Sequence, residues 1–191
     1  MIDATSEGRL DAQIAIVVSN SDDAAGLKRA SEAGIETMCL RPRDYPGRDA
    51  YDRALAGALD THRVNLVCLA GFMRLVGPPL LGAFPDRMLN VHPSLLPAFP
   101  GLDAQRQALE YGVRFSGATV HLVTSELDGG PIVLQSAVPV LEDDTVETLS
   151  SRILAEEHRI YPEAIQMLLD GDWSLQGRRF IGAASGRPRP A

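Results

Sequence analysis

With 191 residues, the chain is long enough for one well-buried domain and too short for two ordinary ones. Its 45% hydrophobic and 23% charged residues suit a globular protein that packs a core, and a net charge of −7 sets the surface against a phosphate backbone, which argues against nucleic-acid binding. The longest apolar run, Leu66 to Met73, is broken by Gly71 and is too short to span a bilayer, and the opening Met-Ile-Asp-Ala-Thr-Ser-Glu lacks the layout of a signal peptide, so a cytoplasmic protein without a membrane span is expected.

Gln13 to Ser19 is a short β-branched run that predicts a strand, and it ends at Asn20-Ser21-Asp22, a cluster suited to capping a helix. Asp22 to Ala33 has helical spacing through Ala25, Leu27, Ala30 and Ala33 and stops at Gly34. Ile35 to Leu40 predicts a second strand. Pro42, Pro46 and Gly47 predict a loop, and Arg48 to Leu59 a helix with Tyr51, Leu55 and Leu59 on one face. Val64 to Ala70 is nearly all apolar, as a strand buried on both faces should be. Pro78 to Phe84 predicts a short helix and Arg87 to Val91 a fourth strand.

Strands alternating with helices at this spacing predict βαβ units, and hence an α/β fold with a doubly wound, mostly parallel sheet and helices on both faces. After Gly112 the pattern changes. Ala118 to Val123 and Ile132 to Val140 predict two strands joined through Asp128-Gly129-Gly130 in an antiparallel arrangement. A long helix follows, with Asp144 expected as N-cap and Glu147 three residues on. Leu149, Ile153, Ile160, Ala164 and Leu168 form its apolar face, and Pro162 is placed to kink it. Residues 1–182 are expected to form one domain, and the tail from Ala183 (AASGRPRPA) to be disordered. Cys39 and Cys68 stand apart with no metal-ligand spacing, which suits buried free thiols, and no metal is expected.

Ligands of open α/β sheets sit beyond the carboxyl ends of the strands. Asn90 and His92 fall at such an end, two residues apart, a spacing that puts both side chains on one face of a strand. Together with a carboxylate they could move an acyl unit onto an amine. Asn90 would supply an N–H to the oxyanion, His92 would move the proton, and Asp128 would stabilise the charged imidazole. Taken alone, Asn90 reads as a turn residue, and Asp128 as part of an Asp-Gly hairpin signal. Of the other histidines, His62 is expected to be exposed, His121 to be packed or hydrogen-bonded within a strand, and His158 to lie on a charged helix face.

Several motifs occur in the order found in a known family. They are Ser19-Asn20, Ala25-Gly26-Leu27, Ala70 to Arg74, Asn90 to Pro97, Pro100-Gly101-Leu102, Arg106 to Leu109, Gly117 to His121, Glu126 to Pro131 and Glu157-His158. In these the chain resembles phosphoribosylglycinamide formyltransferase, over about Ile2 to Trp173. The resemblance implies a formyl transfer from 10-formyltetrahydrofolate to the amine of glycinamide ribonucleotide. It implies that Asn90, His92 and Asp128 are catalytic, with His92 as general acid and Asp128 tuning it. Arg48, Met73, Arg74, Leu75, Val76, Asn90 and the run Thr124, Ser125, Glu126, Leu127 and Asp128 would hold the folate. Leu154, Ala155, Glu156 and Glu157 would meet the nucleotide, with Glu157 at its sugar hydroxyls. The partners would be these small molecules, and the sequence leaves monomer and homodimer open.

Two departures accompany the resemblance. Asp103 stands where the family commonly has His, and the Gly-x-Gly-Ser-Asn loop that binds the substrate phosphate does not occur, Met1 to Ala4 already matching the helix that follows it. Either a start upstream, a fragment, or loss of phosphate binding would account for this. A formyltetrahydrofolate deformylase is the nearest alternative, but that family typically has His-His-Ser where this chain has His92-Pro93-Ser94. A non-catalytic folate-binding pseudoenzyme is the alternative from another class. Methionyl-tRNA formyltransferase shares the Ser-Leu-Leu-Pro turn but needs a C-terminal RNA-binding domain.

Overall fold

The computed structural model describes residues 1 to 182, so the tail from Ala183, expected to be disordered, lies outside the described residues. The elements run in the order α1 (Ile2–Ser6), β1 (Val17–Ser19), α2 (Ala25–Glu32), β2 (Thr37–Cys39), a 3-10 turn (Pro42–Asp44), α3 (Arg48–Thr61), β3 (Val67–Leu69), α4 (Pro78–Ala83), β4 (Met88–His92), α5 (Ala104–Tyr111), β5 (Phe115–Leu122), β6 (Ile132–Pro139), α6 (Val146–Leu169), β7 (Trp173–Gln176) and β8 (Arg179–Gly182). This is a mixed α/β fold. Contacts divide it into two compact units, Ile2–Met88 and the part from Leu89 onward. Among the described residues no helix is long and apolar enough to cross a membrane.

In the first unit β1 and β2 pair in parallel, Val17 opposite Thr37 and Ser19 opposite Cys39, and α2 packs on both. Arg29 of α2 hydrogen-bonds Asp3 of α1. The predicted face of α3 is buried, with Tyr51, Leu55 and Leu59 inside, and α3 packs on α4. Asp52, on the same side of α3, is equally buried, which the apolar spacing did not foresee. Cys39 and Cys68 form no disulfide and are half-buried. His62 is not exposed as expected: its ring donates to the Ala58 carbonyl at 2.6 Å and lies 3.0 Å from Glu36.

The second unit is built on strands in the order β4-β5-β6-β8-β7. β4 and β5 are antiparallel, as are β5 and β6 in the way the hairpin signal predicted. β6 meets β8 in parallel, and β8 returns to β7 as a hairpin with Trp173 stacked on Phe180. Neither α5 nor this hairpin was marked by the sequence pattern. α6 packs across β5 and β6 with Leu149, Ile153, Ile160, Ala164 and Leu168 buried, and it continues through Pro162.

The cap of α6 differs from expectation. Thr145, not Asp144, is the N-cap, and it forms a reciprocal capping box with Thr148. Asp144 instead accepts from Arg152 at 2.8 Å, from the Leu141 amide and from the Thr148 hydroxyl. The Arg152 guanidinium holds its carboxyl well below the usual carboxylate range, the Leu141 amide adding to that effect. Two adjacent capping residues were available, and the one within reach of a cation was drawn away from the cap.

Candidate active site

The register of β4 against β5 sets the chemistry. Asn90 lies opposite His121, and His92 opposite Thr119. Residues opposite one another in an antiparallel pair share a face, so these four side chains line one side of the two strands. A bulge in the β5–β6 pairing falls between Val120 and His121, next to this cluster, as bulges often do beside active sites.

His92 is 5% exposed. Its Nε2–H donates to the Phe99 carbonyl at 2.8 Å, and its Nδ1 faces Asp128 Oδ2 at 3.4 Å. A carbonyl can only accept, so Nε2 keeps its hydrogen and Nδ1 is the nitrogen left to gain and lose a proton. Asp128 Oδ2 also accepts from the Gly101 amide at 2.7 Å. The loop between β4 and α5 therefore grips both members of the pair through its backbone.

His121 Nδ1–H donates to the Leu122 carbonyl at 3.0 Å, which leaves Nε2 bare to accept from Asn90 Nδ2 at 3.2 Å. Burial pushes the His121 imidazole toward its neutral form, in keeping with that tautomer. The amide of Asn90 is thereby oriented, with Nδ2 held by His121. His121 Nε2 also lies 3.7 Å from Asp128 Oδ1. Asn90, His92, His121 and Asp128 thus form one connected cluster.

The backbone around it is strained. Phe99 has φ 52°, Asp103 φ 56° and Asp128 φ 48°, all in the left-handed region that non-glycine residues occupy at a cost of about 1–3 kcal/mol. Beneath the loop Thr119 Oγ1, fully buried, donates to the Ser94 carbonyl and accepts from the Leu96 amide and from Gln135 Nε2. Phe99, Gly101 and His121 were not singled out as functional from the sequence. The first two act through backbone atoms that leave no side-chain signature. The third lies inside the family motif Gly117 to His121 but reads as structural from the sequence, and only the register opposite Asn90 brings it into the cluster.

The expected folate residues fall in both units. In the second unit Thr124 is half-buried and its hydroxyl accepts from the Glu126 amide, while Ser125, Glu126 and Leu127 are exposed beside Asp128. Arg178, at the β7–β8 turn, pairs with Glu126 and donates to the Gly129 carbonyl, fastening this loop. In the first unit Met73 is 76% exposed, Leu75 is exposed and Val76 is half-buried on the segment between β3 and α4, with Arg74 lying 5.1 Å over the Tyr51 ring. Arg48 opens α3 and lines an open depression of about 580 Å³ with Pro46, Gly47 and Arg53.

The four expected nucleotide residues lie on α6. Leu154 and Ala155 are exposed. Glu156 is engaged, accepting from Ser136 Oγ at 2.6 Å and from Arg159. Glu157 is half-buried, and burial pushes its carboxyl up to about 6. Among the described residues no group of three or more His, Cys, Asp or Glu side chains is arranged to hold a metal.

Residues 1–165 match the formyl transferase family. The fold is similar to that of glycinamide ribonucleotide transformylase 1 from Symbiobacterium toebii, with a TM-score of 0.92 and 59% identity over 94% of this chain and 84% of that one. The chain is 44% identical to phosphoribosylglycinamide formyltransferase of Escherichia coli (strain K12), covering 90% of this chain and 81% of that protein. It is 46% identical to the human trifunctional purine biosynthetic protein adenosine-3 over 92% of its own length, but spans only 17% of that longer protein. A formyltetrahydrofolate deformylase from Pseudomonas syringae shares the fold with a TM-score of 0.86 at 26% identity, over 95% of this chain and 60% of that one. The chain belongs to the phosphoribosylglycinamide formyltransferase family.

Proposed function

We propose that the chain transfers the formyl group of 10-formyltetrahydrofolate to the amine of glycinamide ribonucleotide, a step of purine synthesis, and that Asn90, His92 and Asp128 carry the reaction. The observation behind this reading is the cluster itself: an oriented amide N–H and a protonatable imidazole nitrogen beside a carboxylate. The amine attacks the formyl carbon, and the C=O electron pair moves onto oxygen. Asn90 donates an amide N–H to that oxyanion. As the oxyanion re-forms the carbonyl and the C–N bond breaks, His92 donates from Nδ1 to the leaving folate nitrogen, and the attacking nitrogen passes its own proton to solvent water, from which Nδ1 is reprotonated. The Asp128 carboxylate, held by the Gly101 amide, stabilises the imidazolium through charge.

Met73, Arg74, Leu75, Val76, Arg48 and Thr124 to Asp128 would bind the folate, and Glu157 the sugar hydroxyls of the nucleotide. The family membership supports this reading, as does the exposure of Met73, Leu75 and Leu127, apolar groups available to a flat heteroaromatic ligand. We take the protein to work in the cytoplasm, as monomer or homodimer. The direct test is formyl transfer to glycinamide ribonucleotide measured beside formate release without the amine. Transfer that depends on the amine supports the reading. Formate release that ignores it would assign the chain to the deformylases instead.

Glu157 yields a prediction of its own. Its folded pKa of about 6 lies above the ordinary 4.5, so the fold favours the protonated form. The stabilisation is present below the ordinary value and lost as pH rises through 6. The difference is about 2 kcal/mol at most, and about 1 kcal/mol once solvent screening is allowed for. Glu157→Gln should therefore raise the denaturation midpoint at pH about 8, leave it nearly unchanged at pH about 4, and raise the KM for the nucleotide. Equal midpoints at the higher pH would remove burial as the cause.

A further inference from the structure

The first unit contains a buried acid with no part in the chemistry above. Asp52 is 1% exposed, although it is an acidic residue in the second turn of α3. Its Oδ2 accepts from the Gly77 amide at 2.6 Å. Gly77 ends the segment that leaves β3 and carries Met73 to Val76, and it is buried. A Cβ on Gly77 would lie 2.5 Å from Asp52 Oδ2 and 3.2 Å from Arg48 Nε. The absence of a side chain is therefore what lets the amide reach the carboxylate, and Arg48 lies directly beside that junction.

The same segment is held a second time. Arg74 lies over the Tyr51 ring at 5.1 Å, and Tyr51 is itself wedged against Tyr45 with centroids 5.6 Å apart. Tyr51 and Asp52 are neighbours on α3. The segment thus rests on one helical turn at two points, through Arg74 on the ring and Gly77 on the carboxylate. Met73 and Leu75, between and beside these points, project outward and are exposed. Buried acids are rarely kept unless they are paired, and this one spends its pairing on a single backbone amide of an otherwise exposed stretch.

We infer that Asp52 is a positioning residue for the folate side of the site: it locks residues 70–77 onto α3 so that Met73 to Val76 and Arg48 are presented in one fixed arrangement. This rests on the folate assignment proposed above. Its loss should act on folate affinity and leave the proton-transfer machinery, which belongs to the other unit, unaltered.

Asp52→Asn keeps an oxygen that can accept from the Gly77 amide, whereas Asp52→Ala removes it. Steady-state kinetics with both substrates varied should give an Asp52→Ala enzyme whose folate KM rises by about tenfold, the scale of one lost hydrogen bond. Its kcat and nucleotide KM should stay within about twofold, and Asp52→Asn should recover most of the loss. Gly77→Ala, which crowds the junction from the other side, should reproduce the folate defect and serves if Asp52→Ala does not fold. Combining Gly77→Ala with Asp52→Asn should add little to either change, because both act on one bond. Equilibrium titration with a folate analogue separates the failures. If the unaltered protein binds no folate, the assignment of the site is wrong. If it binds and the variants bind equally well, or if all kinetic constants decline together without rescue by Asn, Asp52 is structural only and the inference falls.

Discussion

Replacing His92 by alanine is expected to lower turnover by about a hundredfold or more while leaving folate affinity largely intact. A positioned acid–base group contributes on that scale, and the structure leaves little to substitute for it. The ring is gripped at Nε2 by the Phe99 carbonyl, so only Nδ1 can take part, and that nitrogen faces Asp128 at 3.4 Å. His121 cannot take over: its Nδ1 is committed to the Leu122 carbonyl, its Nε2 to Asn90, and burial disfavours its charged form. Asp128→Asn should cause a loss of similar size for a separate reason. The amide oxygen can still accept from the Gly101 N–H, so the loop stays in place, but the negative charge beside Nδ1 is gone. Single-turnover rates with saturating folate would check both, and near-normal rates in either variant would refute the assigned roles.

The parts of this fold that were legible in the sequence are those where burial has a period. The apolar positions of α3 and α6 recur at helical spacing, and those positions are the buried ones. The Asp-Gly-Gly signal between two β-branched runs gave the antiparallel β5–β6 pair. Asn90 and His92 could be placed together because a strand alternates its faces. The unread parts depend on partners far along the chain. Asp52 looks like an exposed polar residue until Gly77, 25 residues away, is brought to its carboxylate. The capping role passed from Asp144 to Thr145 because Arg152 lies within reach. α5 was missed because it is short, and its buried side chains, Ala104 and Ala108, are too small to mark a face. The grip on His92 and Asp128 comes from a carbonyl and an amide, groups that every residue possesses, so composition could not single them out.

The largest effect on stability is expected from Gly130→Ala. A Cβ at that position would lie 1.7 Å from the Leu122 carbonyl oxygen and 3.3 Å from Thr124 Cγ2, far inside contact distance and against backbone rather than a mobile side chain. The chain cannot easily yield there, because the Leu122 amide is bonded to the Pro131 carbonyl at 2.9 Å and closes the hairpin around the glycine. Forcing the strands apart should cost about 3 kcal/mol or more, the upper range for overpacking a tight site. The displacement would reach Asp128, two residues earlier and already held in the left-handed region at φ 48°. Activity should therefore fall together with the melting temperature. Gly26→Ala, in α2 with nothing within 4 Å of the added carbon, provides the contrast. It should raise stability by about 0.5–1 kcal/mol through helix propensity alone and leave the rate unchanged. Thermal denaturation of the two variants beside the unaltered protein checks the pair. A Gly130→Ala protein that melts where the original does would mean that the hairpin relaxes freely, and that the close approach of these two strands is not what holds Asp128 in place.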